Sequence, residues 1–162
     1  MTSPSSDKDV LRAELRTLLE RARDKLLAAH ETSTQGVTHD DARSEGSKDT
    51  RATSASYIAR GQALRVEALA ADVAKVAAMR LRALGATDPV AMSALVTVVD
   101  DEGVERILFV APAGGGMVLT GGVSVITPAS PLGAALIGAV RGDVVAFDRG
   151  GRTLEAEVVA VG

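Results

Sequence analysis

The chain has 162 residues, 46% apolar but only 2% aromatic, with a formal net charge of −3 and no cysteine. That length admits one ordinary domain or two small ones, and the missing thiols exclude disulfide frameworks, thiolate zinc sites and cysteine nucleophiles. With Tyr57, Phe109 and Phe147 the whole aromatic supply, base-stacking platforms for single-stranded nucleic acid are disfavoured.

No apolar run is long enough to span a bilayer, and the opening MTSPSSDKDV lacks the apolar stretch of a secretory signal, which predicts a soluble, intracellular protein. The charge is split. Residues 1–86 hold 14 Lys/Arg against 12 Asp/Glu, and residues 87–162 hold 4 against 9, which gives no basic footprint for duplex DNA.

Residues 1–6, rich in Ser, Thr and Pro, are expected to be disordered. Leu11, Leu15, Leu18, Ala22, Leu26 and Ala29 then recur at helical spacing, so one helix face is apolar. Next comes THDDARSEGSKDT, residues 38–50, with four carboxylates and hardly an apolar side chain. A second helical pattern follows with Tyr57, Ile58, Val66, Leu69, Val73, Val76 and Leu84, and its 66, 69, 73, 76 series keeps the three-and-four step of a coiled-coil seam. Gly85 and Pro89 predict its end, so the helix spans 50–84, on the order of 50 Å. Residues 7–86 therefore read as an antiparallel helical hairpin, or alternatively as a helix pair folded over the second half as a bundle.

After Pro89 the period changes to two. Residues 93–99 read as a strand, Asp100 to Gly103 as a turn and 104–111 as the hairpin partner. Gly114, Gly115 and Gly116 predict a flexible connection. Further strands are expected near 122–127, 143–148 and 153–161, the last two joined by the Arg149-Gly150-Gly151-Arg152 turn. Between them SPLGAALIGAVRGD predicts a short helix capped by Ser130, with Pro131 at its first position and Gly138 at its end. Residues 87–162 thus make a small α+β domain of antiparallel strands with one short helix.

The segment VITPASPLGAALIGAVRGDVVAFDRGGRTLEAEVVAVG resembles the C-terminal domain of the GreA/GreB transcription elongation factors. Ser130, Pro131, Leu132, Gly133, Ala135, Leu136, Ile137, Gly138, Gly142 and Asp143 fit that family's pattern. YIARGQALRVEALAADV stands where the family carries the second helix of its coiled coil, so the resemblance spans nearly the whole chain. It implies an FK506-binding-protein-like C-terminal domain that docks at the rim of the RNA polymerase secondary channel, through the surface holding Ser130, Pro131 and Leu132. It also implies a coiled coil reaching down that channel within a DNA-bound transcription complex. Tip carboxylates would then help to hold a Mg²⁺ ion in the polymerase's own active site, which cuts the 3′ end of backtracked RNA. Two metals stabilise the attacking and leaving oxygens together, and Mg²⁺ takes one or two carboxylates at a time. The isolated protein would bind no cofactor stably.

The family's tip is Asp-Leu-x-Glu-Asn, whereas this chain has Asp41-Ala42-Arg43-Ser44-Glu45-Gly46. Residues four apart share a helix face, so Asp41 and Glu45 are the candidate metal ligands, with Asp40 and Asp49 as possible substitutes. Without the resemblance, an acidic loop between helices reads simply as solvated, or Asp40 and Asp41 as first-turn residues of a helix. Ser130 and Pro131 are likewise fully explained as a helix start.

The glycine run lacks nucleotide-binding spacing, His30 and His39 lack the spaced partners of a metal site, and no Ser sits in a nucleophile turn. Prolyl isomerase activity does not follow from the implied fold, because it needs an aromatic-lined pocket. The expectation is a monomeric, bacterial cytoplasmic factor that is not itself an enzyme and stimulates transcript cleavage by RNA polymerase. The alternatives are a secondary-channel regulator or inhibitor that promotes no cleavage, and a structural adaptor that dimerises through the hairpin.

Overall fold

A computed structural model describes the backbone of residues 4–39 and 48–162 and the side chains of residues 7–32 and 53–162. The chain divides into two compact units. One is Thr17–Val73, and the other joins Met1–Arg16 to Ala74–Gly162.

Helix α1, Pro4–His39, starts earlier than the composition of residues 1–6 suggests. Proline's fixed φ suits a first helical turn, where the N–H it lacks has no intrahelical partner. Residues 4–6 therefore belong to the helix, and residues 1–3 lie outside the described residues. Along α1 the buried apolar residues are Leu11, Leu15 and Leu19, with Leu18, Ala22 and Leu26 half-buried and Ala29 exposed. The apolar stripe exists as predicted, but Leu19 rather than Leu18 lies at its centre.

Helix α2, Lys48–Ala78, pairs with α1 as a hairpin. Half-buried Ala59, Gln62, Val66, Leu69 and Val73 lead to buried Val76 and Met79, which keeps the predicted step. Tyr57 and Ile58 do not join this seam and are 72% and 62% exposed.

The helix also stops earlier than Leu84. Beyond Ala78 the backbone is held by groups from other parts of its unit: Arg12 Nη1 donates to the Met79 carbonyl at 3.0 Å and Lys8 Nζ to the Arg82 carbonyl at 2.7 Å. The Arg82 N–H donates to Ser93 Oγ at 2.9 Å. These bonds hold residues 79–82 in a non-helical path. Gly85 therefore caps no helix, and instead opens a turn in which its N–H meets Asp88 Oδ2 at 2.7 Å.

Strands β1 (Leu95–Asp100), β2 (Glu105–Val110), β3 (Val118–Leu119), β4 (Val123–Ile126), β5 (Val144–Arg149) and β6 (Arg152–Val161) form one sheet, with α3 (Pro131–Leu136) between β4 and β5. The strand order is β3-β4-β2-β1-β6-β5. Five strands lie where the alternation predicts them. β3 escapes prediction because it is only two residues long. The β2–β4 pair is parallel, contrary to an all-antiparallel expectation. The chain leaves β2 and runs through β3 before returning alongside it, and such a crossover is what parallel neighbours require.

One sheet face buries Val96, Val98, Leu108, Val110 and Val158 against Leu136 of α3. Alternation puts Phe109 and Val125 on the other face, and both are buried. The same unit buries Leu11, Leu15, Val76 and Met79. Two contacts show how α1 is seated there. The Glu14 carboxylate accepts from the Thr120 N–H at 3.0 Å and from Thr120 Oγ1 at 3.0 Å. Leu15 packs so closely on Gly114 that a Cβ at that glycine would stand 2.6 Å from its Cδ1. The glycine run is thus not a flexible connection. Gly114 and Gly116 adopt φ of 81° and 87°, and the Gly116 N–H donates to the Val125 carbonyl at 2.9 Å.

Candidate functional site

Two regions carry the candidate residues. At the first, Asp40, Asp41 and Glu45 lie outside the described residues; Asp49 falls in the first turn of α2, and its side chain is outside them as well. The helices that bracket this segment are tied by His30 Nδ1 and Gln62 Oε1, 3.1 Å apart. Residue 46, within the acidic stretch, is equidistant in sequence from the two. His30 therefore has a polar partner across the hairpin.

The second region is a cleft of about 560 Å³ in the unit that contains the sheet. Ser130, Pro131 and Leu132 form one wall, so the structure brings these three predicted residues together. Ser130 is placed by its own chemistry: Oγ donates to the Thr127 carbonyl at 2.8 Å and accepts from the Gly133 N–H at 3.1 Å. Pro131 then occupies the first helical position, as its fixed φ favours.

Gly133 is sterically required, because a Cβ there would run into the Thr127 carbonyl oxygen. Gly138, with φ 86°, ends the helix and donates to the Val90 carbonyl at 2.8 Å. Asp143 Oδ2 accepts from the Val140 N–H at 2.9 Å, and the Gly142 N–H donates to the Val158 carbonyl at 2.7 Å. Ser130, Gly133, Gly138, Gly142 and Asp143 thus each have a structural task, and Ser130 lines the cleft as well.

The other wall and the floor come from residues that sequence reasoning did not single out. Leu108 and Phe147 supply apolar surface, and Phe147 is the one aromatic among the described lining residues. Arg106 and Arg149 stand at the margin. Arg106 Nη2 reaches Asp100 Oδ2 at 3.2 Å. Strand alternation was the available signal: Arg106 and Leu108 share a face in β2, as Phe147 and Arg149 do in β5. The cleft is thus largely apolar, with Arg106, Asp148 and Arg149 as the charged residues of its lining.

Residues 85–162 match the family described as "Transcription elongation factor, GreA/GreB, C-term". Those residues form a GreA/GreB C-terminal domain. Similar solved structures include the transcription factor Gfh1, 25% identical over 93% of this chain and 92% of that one, with a TM-score of 0.41. Another is the GreA factor homolog 1 of Thermus thermophilus, 24% identical over 93% and 94%, with a TM-score of 0.40. A GreA/GreB factor of Nitrosomonas europaea is 24% identical over 57% of this chain and 77% of its own, with a TM-score of 0.36. No curated protein matched the chain. Among the described residues no helix is long and apolar enough to cross a membrane.

Proposed function

We propose that this Gre-like chain binds RNA polymerase at the rim of the secondary channel through its sheet-bearing unit and extends the helical hairpin into that channel. There Asp41 and Glu45 assist the polymerase's own cleavage of backtracked RNA. The observation that carries this reading is the GreA/GreB match over residues 85–162, which covers the whole cleft built around Ser130, Pro131 and Leu132. Within the unit Thr17–Val73, α1 runs to His39 and α2 starts at Lys48, helical stretches of about 35 and 39 Å at the α-helical rise, the shape of a probe.

The chemistry asked of the tip is modest. Carboxylate oxygens are the donors Mg²⁺ prefers, and one or two suffice when substrate phosphates and other carboxylates complete the shell. Asp41 and Glu45, with Asp40 and Asp49 as substitutes, would share the ion with the polymerase, which remains the catalyst. In this reading the protein acts as a monomer in the bacterial cytoplasm.

The tip sequence supports a second reading. Asp41 and Glu45 are four apart, without the Leu and Asn of the family motif, and Arg43 lies between them. A cation inside the ligand set opposes metal recruitment, which favours a regulator that occupies the channel without promoting cleavage.

The deciding experiment adds the protein to a backtracked elongation complex carrying 3′-labelled RNA and Mg²⁺, beside a double Asp41→Ala, Glu45→Ala variant. Cleavage assistance predicts short labelled fragments with the wild type and at least a tenfold slower release with the variant, at equal polymerase binding. If both proteins bind and neither releases fragments, the non-cleaving reading replaces it.

A further inference from the structure

The sheet is charged differently on its two faces. In β2, Arg106 shares a face with buried Leu108 and Val110, and in β5 Arg149 shares one with buried Val145. Arg152 is the cross-strand partner of Arg149 in β6, so its side chain leaves the sheet on that same face. All three guanidinium groups therefore belong to the cleft side.

Asp100 is on this face too and pairs with Arg106, and Asp148 lines the cleft beside Arg149, but the strand glutamates go the other way. Glu105 pairs with Val99, Val99 with Glu157, and Glu157 with Val144, a row crossing four strands on the opposite face. Glu155, paired with Ala146, extends it. Residues 87–162 hold only 4 Lys/Arg, and three of them line up on the side that carries the cleft.

The arrangement at Arg149 and Arg152 does nothing for folding. Like charges directly opposite each other on a sheet are destabilising, and these two flank a Gly150-Gly151 turn that would close without them, since both glycines take positive φ, 60° and 79°. Both arginines are exposed, and among the described residues no carboxylate pairs with Arg149. A carboxylate arriving from outside would relieve the repulsion and gain a planar, two-pronged donor.

We infer that the cleft selects a polypeptide segment of the polymerase in which carboxylates flank an apolar side chain. The apolar group seats against Leu108, Leu132 and Phe147, and the carboxylates meet Arg149, Arg152 and the free edge of Arg106. This rests on the polymerase-binding reading and adds the chemistry of the surface recognised. Interfaces built this way gain on-rate and orientation from complementary charge, and the opposite face with Glu105, Glu155 and Glu157 is repelled from the same acidic surface.

The test measures binding of the full chain to core RNA polymerase free of nucleic acid, over a range of salt. The wild type binds with an affinity that falls as salt rises. Arg149→Glu and Arg152→Glu each weaken binding at least tenfold at low salt and flatten the salt dependence, Arg149→Lys keeps the salt dependence while losing part of the affinity with the two-pronged geometry, and Glu157→Gln on the far face stays within twofold. Circular dichroism checks that the exposed substitutions leave the fold intact.

If the wild type binds but the charge reversals change affinity less than twofold, the acidic partner is refuted and polymerase binding stands. If they matter only when RNA or DNA is present, the arginines read phosphate instead and the inference fails. If the wild type does not bind core polymerase, the polymerase reading itself falls.

Discussion

The unit Thr17–Val73 and the unit built around the sheet solve the problem of burial in opposite ways. In the first, Leu19 is the one fully buried residue among those described, and the seam of α2 is half-buried from Ala59 to Val73. A pair of helices meets along a single line, so every seam residue keeps a flank in water. In the second, the sheet is covered on one face by α3 and has buried residues on both. The lesson concerns where sequence is free to change. A helical rod tolerates almost any polar tip, whereas the sheet unit fixes glycines and caps by steric necessity.

The sharpest way to break this comparison is to cut the same side chain from each unit. Leu15 is completely buried in the sheet unit, and Leu15→Ala is expected to lower stability by about 3 to 4 kcal/mol, because lost transfer energy and a residual cavity add. Leu26 lies half-buried on the same helix in the other unit, and Leu26→Ala should remove only about 1 kcal/mol. Urea unfolding followed by far-UV circular dichroism measures both. Equal losses would show that the hairpin carries as much of the stability as the sheet unit and that the contrast is superficial.

A smaller effect sharpens the link between fold and cleft. At Gly133 an added methyl meets backbone rather than a yielding side chain, so Gly133→Ala should cost about 2 to 3 kcal/mol as α3 shifts away from Thr127. Because Ser130, Pro131 and Leu132 move with that helix, polymerase affinity should drop in the same variant while the far hairpin stays helical. A Gly133→Ala protein with wild-type stability and affinity would mean that the string is not sterically imposed.

This explains what was legible beforehand. The strands from β1 to β6, apart from β3, and the Ser130-Pro131 start of α3 could be read because alternation, turn glycines and a side-chain cap are local signals. The stop of α2 at Ala78 could not. It depends on Lys8 and Arg12 reaching carbonyls that lie far away in the sequence, and helix propensity says nothing about such bonds. The order within Gly114 to Gly116 was hidden for the same reason, since Leu15 supplies the contact. At the cleft, the Ser130 wall was visible as a motif, while Arg106 and Arg149 became visible only when strand pairing put them on one face.

Lys8 offers the smallest effect and a test with a definite sign. Its side chain is buried at 2% exposure, with its ammonium on the Arg82 carbonyl. Burial lowers its pKa below the ordinary lysine value, because desolvation disfavours the charged form. The native state therefore releases this proton at a lower pH than the unfolded chain does. Between the two pKa values the unfolded chain binds more protons, so stability rises with pH across that window. Below the native pKa both states are charged and the desolvation penalty is fully present; above the ordinary value both are neutral and it is gone. Lys8→Met lacks the ionisable group and should show no such rise. The stability difference between wild type and variant, followed by urea unfolding from neutral pH toward the ordinary lysine pKa, should move in favour of the wild type as pH increases. A difference that stays level or moves the other way would mean that Lys8 keeps its hydration in the native state, and that the segment after Ala78 is held by Arg12 and Ser93 without a buried charge.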